Sequence, residues 1–201
     1  GECIAFSTDG GQSFRRYEDN PIITFDKKDT SGKPFHIGRD PKVIWYAYDQ
    51  NDTPLNETAA RYGGHWVMLV YDLTEGKENQ SGRFYTSVDM KHWEHQSDLP
   101  GYFECMEVFE LPVNGDAANK RWVVYSGDAR YAVGDFDGKR FTPEHEGKHR
   151  LHYGTYYASQ TFDNAPGGRK IQVGWNTSQA APEAPYAGHH SFPHELTLHT
   201  E

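Results

Sequence analysis

The amino-acid sequence predicts an all-β fold, and three observations support this prediction. Short runs of β-branched and aromatic residues recur between turns rich in Gly, Asp and Asn, as is typical of strands. Apolar residues at the spacing of an amphipathic helix are hard to find. One pattern of strand, turn and aromatic residue also recurs weakly, which indicates repeated sheets. The chain is therefore expected to consist of similar β-sheets with few helices.

Ten segments carry the strand pattern. Several are apolar at every position, such as Trp66–Val70, and such runs suit sheets that are packed on both faces. The predicted strands, in chain order, are Cys3–Ser7, Lys42–Tyr48, His65–Tyr71, Gly82–Ser87, Met106–Leu111, Arg121–Ser126, Tyr131–Phe136, Thr155–Phe162, Lys170–Trp175 and Glu195–His199.

The recurring pattern is a strand that enters an Asp turn and is followed by an aromatic residue, in Ile4–Phe14, Phe84–Trp93 and Val133–Phe141. The Asp side chain can bond the turn amides, so each copy is expected to be an outer hairpin of a sheet. Repeated four-stranded sheets without helices favour a β-propeller, with a β-sandwich as the alternative. The turn-rich stretches Asp49–Gly64 and Asn176–His190 are then loops over one face, and no domain linker is visible within residues 1–201.

The charge balance limits the partners. The 201 residues contain 20 Lys and Arg against 29 Asp and Glu, a formal net charge of −9. Such a surface is a poor partner for nucleic acid, and no apolar run approaches the length of a membrane-spanning helix. A neutral substrate handled by carboxylates suits this composition. Two cysteines, Cys3 and Cys105, are too few for a disulfide framework.

Two carboxylates have a distinctive context. Asp40 follows Arg39 directly before an apolar strand, and the guanidinium group favours the Asp40 anion. Glu104 lies among Tyr102, Phe103 and Met106, which disfavour its charged form. One carboxylate held as an anion and one suited to act as an acid is the pair that glycosidic bond cleavage needs. The alternative to a catalytic pair is that Asp40 is an ordinary turn residue paired with Arg39, and that Glu104 is a partly buried structural residue.

Five motifs occur in a fixed order along the chain. They are IAFSTDGG at Ile4–Gly11, RDPKV at Arg39–Val43, FEC at Phe103–Cys105, YASQTF at Tyr157–Phe162 and FPHELTL at Phe192–Leu198. In these motifs and their order the chain resembles glycoside hydrolase family 32, which contains invertases, inulinases, levanases and other β-fructosidases. The resemblance implies a five-bladed β-propeller with the active site in a central funnel, a retaining mechanism on fructosyl bonds, and a secreted or periplasmic location.

The resemblance also implies residue roles. Asp40 is expected to stabilise the transition state by holding fructosyl hydroxyls, with Arg39 in support, and Glu104 is expected to be the general acid/base. Substrate contacts are expected from Arg39 and Cys105, and from Tyr157 and Trp175 as aromatic residues lining the funnel. Core positions for the two aromatic residues are the alternative. No cofactor or metal is implied.

The chain also departs from the family pattern. The family's nucleophile is an Asp in a Trp-Met-Asn-Asp-Pro-Asn-Gly type segment, which residues 1–201 lack. Asp52 does not replace it, because Asp52 follows the Arg39-Asp40-Pro41 motif, whereas the family's nucleophile segment precedes that motif. The expectation is therefore a chain that begins within the domain, without its first blade and part of the second. Met106-Glu107 replaces the common Pro-Asp, and His194 replaces a common Arg.

Two other functions remain open, whereas a metal site is not favoured. A carbohydrate-binding propeller without catalysis would explain the missing nucleophile segment. The segment Ser7–Phe14 also fits the Asp-box turn of sialidases, although a sialidase needs an arginine cluster and a Tyr/Glu nucleophile pair. The 11 histidines, with His189, His190 and His194 close together, suggest a metal site, but no His-Glu-x-x-His or Cys-x-x-Cys motif supports one.

Overall fold

The structure is a computed structural model that describes residues 1–24, 38–48, 53–73, 80–178, 180 and 182–200. Within these ranges it forms fifteen strands, one helix and one 3-10 turn. The chain divides into two compact units. Unit 1 comprises Gly1–Tyr102 with Asp137–Arg140, and unit 2 comprises Phe103–Phe136 with Phe141–Glu201.

Unit 1 contains a small hairpin and a four-stranded antiparallel sheet in which neighbours in sequence are neighbours in space. One of the two central strands of the sheet contains the apolar run Trp66–Val70, in which Val67, Leu69 and Val70 are fully buried, as expected for a sheet covered on both faces. The elements are β1 (Ala5–Phe6), β2 (Arg15–Arg16), β3 (Gly38–Tyr46), α1 (Glu57–Tyr62), β4 (His65–Leu73), β5 (Gln80–Ser87) and β6 (Glu94–Pro100).

Unit 2 contains two further antiparallel sheets. One apolar cluster, which includes Phe109, Tyr125 and Tyr156, packs strands of both sheets together. The first sheet consists of β7 (Glu107–Val113), β8 (Asp116–Tyr125), β9 (Arg130–Phe136), β10 (Phe141–Pro143) and β11 (His149–Arg150), and the second of β12 (Tyr156–Phe162), β13 (Lys170–Asn176), β14 (His189–His190) and β15 (His194–Leu196).

The all-β prediction is confirmed, and each of the ten predicted strands overlaps an observed strand. Five short or polar strands were not predicted, namely β2, β6, β10, β11 and β14. The predicted loop Asp49–Gly64 is wrong in part, because it contains α1. This helix begins at Asn56, whose side chain accepts a hydrogen bond from Ala59 N at 2.9 Å. Residues 49–52 lie outside the described ranges.

The three predicted Asp turns are hairpins, as expected. They connect β1 to β2, β5 to β6 and β9 to β10. Asp9 accepts from the backbone N–H of Ser13 at 3.0 Å, Asp89 from that of His92 at 2.9 Å, and Asp137 from that of Arg140 at 2.7 Å. In the β3–β6 sheet and in the β7–β10 sheet, the Asp turn joins the last two strands of the meander.

The Asp89 turn makes stability depend on pH. Hydrogen bonds from the backbone and ring of His92 hold the pKa of Asp89 well below its usual range. A carboxyl group whose pKa is lower in the folded state than in the unfolded state stabilises the fold at pH values above the ordinary Asp pKa. This stabilisation is lost as the pH falls below about 4. We therefore expect Asp89→Asn to lower the thermal unfolding midpoint at pH 7, and the difference from the unsubstituted protein to narrow below about pH 4.

Glu183→Gln serves as the control for that measurement, because it removes an exposed carboxylate from another turn. Thermal unfolding is followed by circular dichroism between pH 7 and pH 3 for all three proteins. A difference for Asp89→Asn that stays constant over this range would show that the carboxylate charge does not stabilise the turn.

Candidate active site

Asp40 lies on a β-bulge in β3. The pairing of β3 with β4 shifts register between Arg39, opposite Tyr71, and Lys42, opposite Leu69, so β3 carries one extra residue. Asp40 has a φ of 60°, which is uncommon for any residue other than glycine. A bulge redirects the side chain, and Pro41 fits there because the ladder needs no N–H at an interrupted position.

Arg39 lies beside Asp40, as the sequence predicted. Its Nε is 3.5 Å from Asp40 Oδ2, and the Asp40 side chain is 31% exposed. The Arg39 guanidinium group also lies over the Tyr71 ring, 4.9 Å from the centroid. The cation–π contact with Tyr71 favours the position in which Arg39 faces the Asp40 carboxylate.

A second carboxyl group near Asp40 was not predicted. Glu2 is half-buried, and its backbone N–H donates to Ile23 O at 3.0 Å. Burial raises the pKa of Glu2, and the negative charge of Asp40 raises it further. No motif in the sequence marks Glu2, which lies 38 positions before Asp40 and forms a β-bridge with Ile23. His36 and Ile37, which precede the Arg39-Asp40 motif, lie outside the described ranges.

Glu104 lies in the short turn that leads into β7. The residues on either side anchor this turn, because Tyr102 and Met106 are buried, and burial raises the pKa of Tyr102 to about 12. Cys105 has a φ of 53°, a second departure from ordinary backbone geometry at a candidate residue. Glu104 and Cys105 are themselves half-buried. The chain therefore holds Glu104 between two buried anchors while leaving its side chain in reach of solvent.

Tyr157 donates a hydrogen bond from its hydroxyl group to Glu104 Oε1. Tyr157 lies next to a bulge in β12, where the register with β13 shifts between Tyr157 and Gln160, and Ala158 there has a φ of 49°. A hydroxyl group can donate to a carboxylate and accept from a carboxylic acid. Tyr157 can therefore hold the Glu104 side chain in either protonation state.

Gly127 connects the Glu104 turn to the β12 bulge. Its N–H donates to Glu104 O at 2.7 Å, and its carbonyl accepts from Ala158 N at 3.0 Å. A Cβ atom on Gly127 would lie 2.8 Å from Glu104 O and 3.3 Å from the Cβ of Cys105. No side chain fits at this close approach, which explains why position 127 is a glycine.

Trp175 is 45% exposed, so it is not a core residue, and Tyr157 is half-buried. The two residues are partners across β12 and β13, and their ring centroids are 6.5 Å apart. Gly188 packs so closely on the Trp175 indole that a Cβ there would collide with it. An exposed aromatic side chain beside Tyr157, which itself bonds Glu104, is a suitable surface for a sugar ring.

The candidate residues fall into both units. Arg39 and Asp40 belong to unit 1, and Glu104, Cys105, Tyr157 and Trp175 belong to unit 2. Three of the seven described non-glycine residues with positive φ, namely Asp40, Cys105 and Ala158, lie at or beside candidate residues, in or shortly before the first strand of a sheet. Residues forced into such conformations cluster at functional sites.

The described histidines are not grouped as a metal site would require. Among the described residues, no group of three or more His, Cys, Asp and Glu side chains is placed to hold a metal ion. His194 instead pairs with His152, at 3.1 Å between the Nε2 atoms, while burial and the nearby His194 lower the pKa of His152. None of the helices in the described ranges has the length and apolar character needed to span a membrane.

Comparison with known proteins gives consistent matches. Residues 1–201 match the family described as glycosyl hydrolases family 32 N-terminal domain. The levanase of Bacillus subtilis (strain 168) is 31% identical over 223 residues, covering 98% of this chain and 29% of that protein. An extracellular exo-inulinase of Meyerozyma guilliermondii is 28% identical over 216 residues, covering 97% of this chain and 37% of that protein.

Solved structures agree. The β-fructofuranosidase of Schwanniomyces occidentalis complexed with fructosyl-erythritol superposes with a TM-score of 0.72 at 27% identity, covering 98% of this chain and 37% of that one. The exo-inulinase of Aspergillus awamori shares the fold, with a TM-score of 0.71 at 22% identity, covering 98% and 40% of the two chains. This chain thus spans two fifths or less of the length of these four proteins. On these grounds the chain belongs to glycosyl hydrolase family 32, and residues 1–201 match its N-terminal domain.

Proposed function

We propose that residues 1–201 are part of the catalytic domain of a β-fructosidase that releases fructose from sucrose, inulin or levan. The observation that carries the proposal is the half-buried Glu104, held by the Tyr157 hydroxyl group beside the exposed Trp175. Relatives named levanase and exo-inulinase support the substrate class. A neighbouring structure complexed with fructose supports it as well. The extracellular relative supports secretion of the full-length protein.

In the proposed mechanism Glu104 is the general acid/base. It protonates the leaving oxygen of the fructosidic bond and then, as a carboxylate, takes a proton from the attacking water. The Tyr157 hydroxyl group keeps the carboxyl group in place through both steps, since it can donate or accept. Trp175 and Cys105 contact the sugar. The fixed orientation matters because misplacement by about 1 Å can cost on the order of a hundredfold in rate.

Asp40 is proposed to bind fructosyl hydroxyl groups as an anion and to stabilise the positive charge that develops on the fructosyl ring. Its ion pair with Arg39 and the bulge in β3 support this assignment, since both fix the direction of the Asp40 side chain. The nucleophile of the retaining reaction is proposed to come from a part of the domain outside residues 1–201, because its family motif is not among them.

The proposed architecture is a five-bladed β-propeller. The β3–β6, β7–β10 and β12–β15 sheets are proposed as three consecutive blades, and the β1–β2 hairpin as the outer part of an earlier blade. Four antiparallel strands in sequence order, with an Asp turn before the last strand, support the first two assignments. Residues 1–201 are then one partial domain.

The test is an assay of the full-length enzyme on sucrose, inulin and levan, with dextran as a glucan control. We expect fructose from at least one of the three, none from dextran, and β-fructose as the first anomer seen by NMR, since the mechanism retains configuration. Fructan binding without any fructose release would favour the non-catalytic carbohydrate-binding propeller and contradict the enzyme assignment.

A further inference from the structure

A second carboxylate lies three residues after Glu104 and is fully buried. Glu107 is the first residue of β7, and its Oε2 accepts hydrogen bonds from Thr161 N at 2.9 Å and from the Thr161 hydroxyl group. Thr161 is itself buried in β12. Burying a carboxylate is costly unless it is hydrogen-bonded, so this contact strongly fixes the two strands relative to each other.

The two carboxylates bind the same segment of β12. Glu104 bonds Tyr157, and Glu107 bonds Thr161, four residues further along the chain. The two contacts therefore connect the beginnings of two sheets of unit 2 at neighbouring positions. Gly127 supplies the third connection, through its bonds to Glu104 and Ala158.

The bulge of β12 lies between the two contacts. Tyr157 precedes the irregular step and Thr161 follows it, so the path from Thr161 back to Tyr157 includes Ala158 with its positive φ. A bulge bends its strand and leaves part of the ladder unpaired. The position of the Tyr157 hydroxyl group therefore depends on where the chain is fixed after the bulge, and Glu107 fixes it there.

We propose that Glu107 is a positioning residue for Glu104, acting through Thr161 and the β12 bulge on Tyr157. This proposal rests on the proposed function, in which Glu104 is the acid/base. Without the Glu107–Thr161 contact, β12 shifts at the bulge and the Tyr157 hydroxyl group no longer reaches Glu104. The Glu104 anion then loses a hydrogen-bond donor, and its carboxyl group loses its fixed orientation.

Thr161→Val tests the proposal in the full-length enzyme. The substitution removes the hydroxyl donor to Glu107 but keeps the shape and the backbone N–H. We expect kcat to fall by about tenfold to a hundredfold with KM nearly unchanged. The alkaline limb of the pH profile is expected to move to higher pH, because the carboxylate form of Glu104 loses the hydrogen bond that Tyr157 donates. Thr161→Ser keeps the hydroxyl group and is therefore expected to show the kcat and the pH profile of the unsubstituted enzyme.

Two further variants separate positioning from stability. Ser97→Ala removes a buried hydroxyl group that donates to Lys139 O at 2.6 Å in unit 1, and it is expected to lower the unfolding midpoint without moving the pH profile. Glu107→Gln keeps the shape of the side chain and weakens both bonds to Thr161, so it is expected to move the profile in the same direction as Thr161→Val. It also serves as the test if Thr161→Val does not fold.

The outcomes are distinct. An unsubstituted enzyme that releases no fructose contradicts the proposed function itself. The positioning role of Glu107 is overturned if the unsubstituted enzyme is active and Thr161→Val has the same kcat per folded molecule and the same pH profile. If Thr161→Val does not fold, the same result for Glu107→Gln overturns it. A lower kcat with a shifted alkaline limb that Thr161→Ser restores supports it.

Discussion

Glu104→Gln in the full-length enzyme is expected to lower kcat by about 10² to 10⁴-fold, the usual contribution of a general acid/base. The amide has nearly the shape of the carboxyl group and can still accept from Tyr157, so the local structure is retained. It cannot deliver a proton to the leaving oxygen or take one from water. The alkaline limb of the pH profile, which reports loss of the proton from the acid, is therefore expected to disappear with most of the activity.

Glu110→Gln is the matched control, since Glu110 lies in β7 and forms an ion pair with Lys120 at 3.6 Å. This control is expected to leave kcat and the pH profile unchanged. Steady-state kinetics on sucrose between pH 4 and pH 9 provide the comparison. If Glu104→Gln kept the alkaline limb, another group would be the acid, and the assignment of Glu104 would be wrong.

The sequence predicts best those strands whose apolar pattern is visible within a short stretch of the chain. The Trp66–Val70 run is apolar throughout and becomes β4 because a sheet covered on both faces needs such a strand. The edge strand β6 is polar along most of its length, so its pattern resembles that of a loop. The six residues of α1 are too few to show a helical period, and only the capping Asn56 marks the start.

The residues of the candidate site also differ in how far the sequence alone predicts them. Asp40 and Glu104 stand out because their neighbours in sequence, Arg39 and Phe103, give each carboxyl group a distinctive context within its own motif. The contact between Glu104 and Tyr157 spans 53 positions, and it depends on a bulge at Ala158 that no glycine or proline announces. Contacts of this kind depend on tertiary packing, which a single sequence does not reveal. The buried bond between Glu107 and Thr161 was missed for the same reason.

Residues 1–201 alone are expected to release no fructose from sucrose, inulin or levan. Retaining cleavage needs a nucleophilic carboxylate about 5 Å from the acid/base, and the family motif that carries it is not among these residues. Asp40 is a poor substitute, because a carboxylate that holds ring hydroxyl groups is not aligned for attack at the anomeric carbon. An error of about 1 Å in that alignment can cost on the order of a hundredfold.

The measurement compares residues 1–201 with the full-length enzyme at equal folded concentration, and adds Asp40→Asn in both. Activity in the full-length enzyme alone is the expected result and would support a nucleophile outside residues 1–201. Comparable turnover by the short chain would refute that assignment. Loss of that turnover in Asp40→Asn would fit either a nucleophile or a transition-state stabiliser, because both roles need the Asp40 carboxylate. Trapping of a covalent fructosyl intermediate, followed by mass spectrometry of peptides, would identify the attacked carboxylate directly, because a retaining enzyme forms a covalent bond at that one side chain.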